Sequence, residues 1–417
     1  MKKKILIISD SPLAPSGVGT QTKYMIESML RTGEFQFICL AGALKHPSYE
    51  PVRVSPYEDD WLIIPIDGYG NQNIIRAMIH QHRPDALWFM TDPRFYTWLW
   101  EIEDEIRDKV PMVYYHVWDN YPYPTFNKDY YDSNDVVCTI SKLTDDIVRN
   151  VSPGVKCVHI PHTVDTSSFK KRQKEEYEDI LAQQDNSFEN KMVFFWNNRN
   201  ARRKQSGTLI FWFKEFLDII GKDKACLIMH TEPKDPHGQD LGAIIENLDL
   251  TNGEVLLSTT KVDSKTLSKF YNIADCTINI SDAEGFGLGT LESLACETPI
   301  IVTMTGGLQE QVTDGEDWFG IGIDPKAKAI IGSQEVPWIF EDRITKEDFL
   351  EAMVKFYNTS KVDRDLWGQK GRSHVLKNYS MPKYAGLWYE TFQNLFDESG
   401  SWETRKNYDS WELVEIK

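Results

Sequence analysis

The sequence predicts an α/β protein made of two Rossmann-like units, and three observations carry that prediction. Short apolar runs of strand length, nearly unbroken by polar residues, recur along both halves of the chain, as expected of parallel strands covered on both faces. Stretches with helical spacing separate several of these runs, and such alternation points to parallel sheets. Between the halves, residues 170–190 read KKRQKEEYEDILAQQDNSFEN, dense in charge and poor in bulky apolar side chains. That composition marks a solvated helix followed by a linker.

In the first half the strand-like runs fall at 5–8, 86–90, 113–117, 136–140 and 155–160, and in the second at 192–196, 225–229, 255–257, 276–280 and 300–304. The first helix follows the first run. Met25, Ile26, Met29 and Leu30 form its apolar stripe, Lys23, Glu27 and Arg31 face away, and Gly33 supplies the stop. Near the other end, Tyr384, Leu387, Trp388, Thr391, Phe392 and Leu395 recur at helical spacing after Tyr379-Ser380-Met381-Pro382. The expected division is a unit over 1–169, the linker at 170–190, a second unit over 191–378, and a tail at 397–417 with no assigned role. No short-period repeat interrupts this plan.

Charge narrows the function classes. With 63 acidic against 46 basic residues and a net charge of -17, the chain is poorly suited to grip a nucleic acid backbone over a broad basic face. Any anion it binds needs a local basic pocket, and only such a patch would admit a nucleic acid. No apolar run approaches the roughly 20 residues of a membrane-spanning helix, and the first residues lack the pattern of a signal peptide, so the expected address is cytoplasmic. The six cysteines are widely spaced, without a C-x-x-C pair, which predicts reduced thiols and no structural zinc.

The chemistry-bearing motifs cluster where strands end. Ser281-Asp282-Ala283-Glu284-Gly285-Phe286-Gly287-Leu288-Gly289-Thr290-Leu291-Glu292 follows a predicted strand and opens a helix. Three glycines within five positions let backbone amides approach a ligand, and the helix N-terminus adds partial positive charge suited to phosphate. Carboxylates at both ends, Glu284 and Glu292, accept hydrogen bonds from hydroxyls of a sugar and of a ribose while the loop holds phosphates between them. After the first strand of the second half, Asn198-Arg199-Asn200-Ala201-Arg202-Arg203-Lys204-Gln205 places Arg199 five positions before Lys204. A fixed guanidinium and ammonium stabilise a departing diphosphate without a metal ion.

The pattern EGFGLGTLE, followed by SLACETPIIVTMTGG and Glu310, resembles the donor site of the retaining glycosyltransferases of the GT-B fold, family 4. The resemblance implies two Rossmann-like domains facing a central cleft, with a C-terminal helix, here about 380–396, crossing back to complete the N-terminal domain. It implies a nucleotide diphosphate sugar as donor substrate and no required cofactor. Under it Glu284 lies against the donor sugar, Glu292 binds the ribose, and the amides of Gly285, Phe286, Gly287 and Leu288 meet the sugar and the diphosphate. Arg199 and Lys204 stabilise the leaving group. Where the family usually has glycines flanking this pair, this chain has Asn198 and Gln205. Arg202 and Arg203 either join the phosphate site or face solvent, with solvent the favoured expectation.

The N-terminal half supplies the acceptor side of the reading. Gly17 and Gly19, between the first strand and first helix, resemble the family's glycine loop near the donor phosphates. A dinucleotide fingerprint would need a third glycine where Thr22 stands, which disfavours a dehydrogenase. Residues 112–132 contain eight Tyr, Trp or Phe side chains around His116 and Asp119. The family commonly places a His at such a strand end beside the reacting centre, which makes His116 a catalytic candidate, and Trp118 and Asp119 candidates on the acceptor side. The rings either stack on an acceptor or pack the loop onto its own unit. Residues 160–165 depart from the family's Asn-Gly-Val-Asp at His162 and Thr163 and are read as structural.

The expected reaction is therefore front-face sugar transfer with retention, in which the leaving diphosphate takes the acceptor proton. No D-x-D motif follows a strand, so no metal site is expected. A nucleotide-sugar epimerase of the same fold and a non-catalytic sugar-nucleotide binder are the competing readings. The acceptor class, the donor base and sugar, the linkage and the oligomeric state are not encoded in any readable motif.

Overall fold

The computed structural model describes residues 2–182, 188 and 190–411. Of the expected linker, residues 183–187 and 189 lie outside the described residues, as do 412–417 of the tail. The chain divides into two units: Met1–Thr163 with Gly332–Trp338 and Met381–Lys417, and Val164–Ile331 with Ile339–Ser380.

Unit 1 holds an eight-stranded sheet. In chain order its strands are β1 (Lys3–Asp10), β2 (Phe35–Gly42), β3 (Val52–Val54), β4 (Glu58–Pro65), β5 (Ala86–Thr91), β6 (Met112–His116), β7 (Val136–Thr139) and β8 (Cys157–His159). The spatial order is β3-β4-β2-β1-β5-β6-β7-β8, parallel throughout except for the β3–β4 pair. The first helix, Gly17–Leu30, buries Met25, Ile26, Met29 and Leu30, as its stripe requires. Gly33, at φ +76°, donates its N–H to Leu30 O (3.0 Å) and ends it. The helix Met381–Ser399 buries Tyr384, Trp388, Thr391, Phe392 and Leu395, its spacing of three and four residues keeping one face on the sheet. Trp388 meets Trp88 and Tyr115 with ring centroids 5.7 and 5.0 Å apart. The C-terminal helix thus completes the N-terminal unit. Part of the tail packs there too: Arg405 donates to Asp135 (2.7 Å), and the Tyr408 ring takes the Arg107 guanidinium 4.4 Å from its centroid.

Unit 2 holds β9 (Met192–Asn197), β10 (Ala225–His230), β11 (Val255–Ser258), β12 (Cys276–Asn279), β13 (Ile300–Thr303) and β14 (Gly320–Ile323). They form one parallel sheet in the order β11-β10-β9-β12-β13-β14. The helix Ser206–Ile220 lays Leu209, Ile210, Phe213, Phe216 and Leu217 onto it, all fully buried. Phe213 and Phe216 pack edge-on against Phe194 of β9. Each such side chain contributes about 1.5–3 kcal/mol through burial. A separate antiparallel hairpin pairs β15 (Ala327–Ile331) with β16 (Ile339–Arg343).

All ten expected strands are present, together with β2, β3, β4, β14 and the hairpin, which the run-by-run reading passed over. Strand order reverses between β1 and β5 in unit 1 and between β9 and β12 in unit 2. These are the switch points where α/β sheets bind ligands outside the carboxyl ends of their strands. All six cysteines are free thiols, five of them buried. Among the described residues, no helix is long and apolar enough to cross a membrane.

Candidate functional site

In unit 2 the two predicted motifs leave adjacent strands at the switch point. After β9 the chain runs through residues 198–201 into a short 3-10 turn, Arg202–Lys204, and then reverses at Gln205. Gln205 adopts φ 56°, ψ 34°, a left-handed conformation that costs an L residue energy unless its surroundings fix it. Its side chain supplies the fixing: Nε2 donates to Asp282 (2.5 Å), and Oε1 accepts from Thr208 (2.6 Å). Buried Asn200 ties the same loop to residues 233–239 by donating to Pro233 O and Gln239 O.

After β12 the loop 281–288 is held by backbone and amide contacts. Gly307 N donates to Glu284 O (3.0 Å), Gln311 donates to Phe286 O (2.7 Å), and Thr290 donates to Gln311 (2.6 Å). Gly287 sits at φ +94°, and a Cβ there would lie 2.5 Å from Leu308. Only glycine fits. The helix Leu288–Ala295 begins directly after it, without a capping side chain, so its first amides are available to an anion.

The two loops meet through charge. Lys204 donates to Glu284, and Arg203 lies 4.0 Å from the same oxygen while donating to Ala283 O (2.6 Å). Burial raises the Glu284 pKa, but Lys204 and Arg203 outweigh it, leaving the carboxyl below its ordinary value and ionised. Glu292 behaves oppositely. Burial pushes it up to about 7, against the hydrogen bond from Tyr271 (2.8 Å) that favours its charge. Tyr271 in turn accepts from Asn197 at the end of β9 (2.8 Å).

Arg199 stands apart from that pair. Its guanidinium donates to both oxygens of Asp235 (2.6 and 3.1 Å), lies 2.8 Å from His237 Nδ1, and is 61% exposed. The Asp235 pKa falls well below the carboxylate range through the hydrogen bond from Arg199. Arg202 and Arg203 both keep contact with solvent, at 60% and 36% side-chain exposure. Arg202 pairs with Glu341, whose side chain is 1% exposed, and Arg203 turns toward Glu284.

In unit 1 the candidates take different positions. Ser16 caps the first helix, accepting from Gly19 N (3.0 Å) and donating to Asp10 (2.5 Å). A Cβ at Gly19 would lie 2.5 Å from Ser11 O, so this glycine is required by close packing of its own loop; Gly17 is exposed at the helix start. His116 is fully buried, with Nδ1 3.1 Å from Tyr114 Oη and Nε2 2.9 Å from Tyr131 Oη. The Tyr114 proton goes to Thr91 O (2.7 Å), so Nδ1 of His116 carries the hydrogen and Nε2 accepts from Tyr131. Burial lowers the His116 pKa to about 3. The catalytic candidate at the end of β6 is thus a neutral ring enclosed in an aromatic cage. Trp118 is 3% exposed and donates to Asn120 O (2.8 Å), while Asp119 is half-buried. Tyr114, Tyr115, Trp118 and Tyr131 pack the unit, whereas Tyr123 remains 41% exposed. His162, 2.8 Å from Tyr115 Oη, is structural as read.

The sequence reading missed Asp235, Asn200, Tyr271, Asp282, Glu341 and Arg343 as parts of this site. Asp282 and Asn200 lay inside quoted motifs, but the others act through partners distant in sequence.

Residues 217–356 match the family model described as Glycosyl transferases group 1. The D-inositol 3-phosphate glycosyltransferase of Acidothermus cellulolyticus is 38% identical over 78 residues, covering 18% of this chain and 17% of that enzyme. Among solved structures, the sucrose-phosphate synthase of Thermosynechococcus elongatus superposes with a TM-score of 0.74 at 16% identity, covering 95% of this chain and all of that one. An Anabaena protein, HepE, in complex with UDP and glucose superposes with a TM-score of 0.69 at 12% identity, covering 95% of this chain and 100% of its own. These superpositions establish the fold as GT-B.

Proposed function

We propose that the chain is a retaining glycosyltransferase that moves a sugar from a nucleotide diphosphate sugar to an acceptor hydroxyl. One observation carries the reading: the Glu284–Lys204 pair, with Arg203, stands at the switch point beside a glycine loop that opens a helix. A carboxylate held ionised beside sugar hydroxyls accepts their hydrogen bonds. Lys204 and the helix amides then face a diphosphate whose negative charge grows as the glycosidic bond breaks. Gly285, Phe286, Gly287 and Leu288 are the amide segment, and Glu292 is the ribose acceptor. Arg199 serves the diphosphate once Asp235 shares or yields it.

The family match over 217–356 and the UDP- and glucose-bound structural neighbour support a nucleotide sugar, with UDP-glucose the first donor to try. In the proposed mechanism the leaving diphosphate takes the acceptor proton, and the reaction runs without a metal ion. Asp119 is assigned to the acceptor side, and Trp118 and His116 to holding β6 and its loop in place. Free thiols support a reducing compartment.

The purified chain, incubated with UDP-glucose and a panel of hydroxyl acceptors, is expected to release UDP and form an α-linked product in the presence of EDTA. A β-linked product refutes retention, and activity lost to EDTA refutes metal independence. Epimerised or eliminated sugar without acceptor would instead favour the epimerase reading.

A further inference from the structure

The hairpin β15–β16 is not part of the unit 2 sheet, yet its second strand reaches both loops of the site. Glu341 accepts from Arg202 (Nη1, 3.0 Å, and Nη2) and from Arg343. Arg343 donates onward to Asp282 (2.6 Å), which also takes the Gln205 amide. The result is a chain of alternating charge, Arg202–Glu341–Arg343–Asp282. Backbone bonds run beside it: Asp282 N to Arg203 O (2.8 Å) and Asp342 N to Asp282 O (2.7 Å). Asp282 and Glu341 are 5% and 1% exposed at their side chains, so removing a guanidinium partner would leave a buried carboxylate without its compensating charge.

Arg202 precedes Lys204 by two residues, and Asp282 precedes Glu284 by two. We infer that Glu341 and Arg343 are positioning residues, holding the Lys204 loop and the Glu284 loop in register through Arg202 and Asp282 without touching substrate. This rests on reading those two loops as the donor site. Displacements of about 1 Å in such a constellation cost on the order of 100-fold in rate, which gives distant carboxylate–guanidinium links a catalytic consequence. Gln205 fits the same account: its left-handed conformation is sustained by the bond to Asp282, at a position where the related enzymes usually have glycine.

The test compares Glu341→Gln, Arg343→Met and Arg343→Lys with wild type in the full chain, using UDP-glucose turnover, calorimetric UDP binding and melting temperature. Glu341→Gln and Arg343→Met are expected to lower kcat about 10- to 100-fold, with donor KM within about 3-fold and the fold retained; Arg343→Lys recovers part of the loss. The pH profile supplies a readout that loss of folded protein would not move. Asp282 is faced by Arg343 and Glu341 from β16 and by Arg202 and Gln205 from the other loop, and burial raises its pKa to about 6. Arg343→Met removes a cation and should move the acid limb of kcat upward, whereas Glu341→Gln removes an anion and should move it downward. Wild-type kcat and unshifted limbs in these variants would overturn the inference while leaving the donor reading standing. If Glu284→Gln is also fully active, or UDP does not bind wild type, the donor reading fails and takes this inference with it.

Discussion

The carboxyl ends of the two sheets handle polar residues in opposite ways. In unit 2, Glu284 is held ionised by Lys204 and Arg203 beside a glycine loop. In unit 1, His116 also stands at the carboxyl end of a strand, β6, but is neutral, fully buried and bonded on both nitrogens by tyrosines. A polar residue at a strand end is therefore not by itself a site. What separates the two is the neighbourhood: small residues keep backbone amides approachable in one, while large aromatics close over the other.

The largest effect should follow from breaking the ionised pair. Glu284→Gln keeps the shape but removes the charge, and kcat/KM for sugar transfer is expected to fall about 100- to 1,000-fold, measured by UDP release with the fold checked by circular dichroism. The converse test addresses unit 1. His116→Leu leaves the Tyr131 and Tyr114 hydroxyls without their ring partner, costing about 2–4 kcal/mol of stability, with turnover per folded molecule within about 5-fold of wild type. Because the folded pKa lies below the unfolded value, protons favour the unfolded state, and the wild type loses stability as pH falls from about 6.5 toward 3. Denaturant melts should show this acid sensitivity reduced in the variant. A collapse of turnover at unchanged stability would instead make His116 catalytic.

A smaller effect is expected at the exposed pair. Asp235→Asn releases Arg199, changing kcat/KM about 3- to 10-fold in steady-state assays while shifting stability by less than about 1 kcal/mol. A pH-dependent effect concerns Glu292, whose folded pKa of about 7 lies above that of an unfolded glutamate. The folded state then holds an extra proton between about pH 4.5 and 7, and stability declines as pH rises through that window. Glu292→Gln removes this penalty, so its melting temperature should exceed wild type by a few degrees at pH 8 and converge with it at pH 4.5.

Buried parallel strands announced themselves in the sequence because both faces are apolar, as at Val136–Thr139 and Ile300–Thr303. β4 and the hairpin did not, since Glu58-Asp59-Asp60 and Glu341-Asp342-Arg343 look like solvated charge until their partners are known. In the site, Glu284 and Gly287 were legible in the glycine loop itself and Lys204 through the family resemblance of its segment, because loop geometry and charge are local properties. The Arg199–Asp235 pair links residues 36 apart, and Arg202–Glu341 links residues 139 apart; such pairings are decided by topology. The His116 cage was half legible: its aromatics were counted, but whether they face outward or inward depends on how β5 and β6 pack.

The hydroxyls around His116 have a spectroscopic consequence. With Thr91 claiming the Tyr114 proton, the imidazole is locked in a single tautomer, and its Nδ1 hydrogen is shielded from bulk water. That hydrogen should give a downfield resonance that does not move between neutral and mildly acidic pH. Its disappearance in deuterated solvent would time the opening of the aromatic cage, an intrinsic clock for unit 1 that needs no attached label.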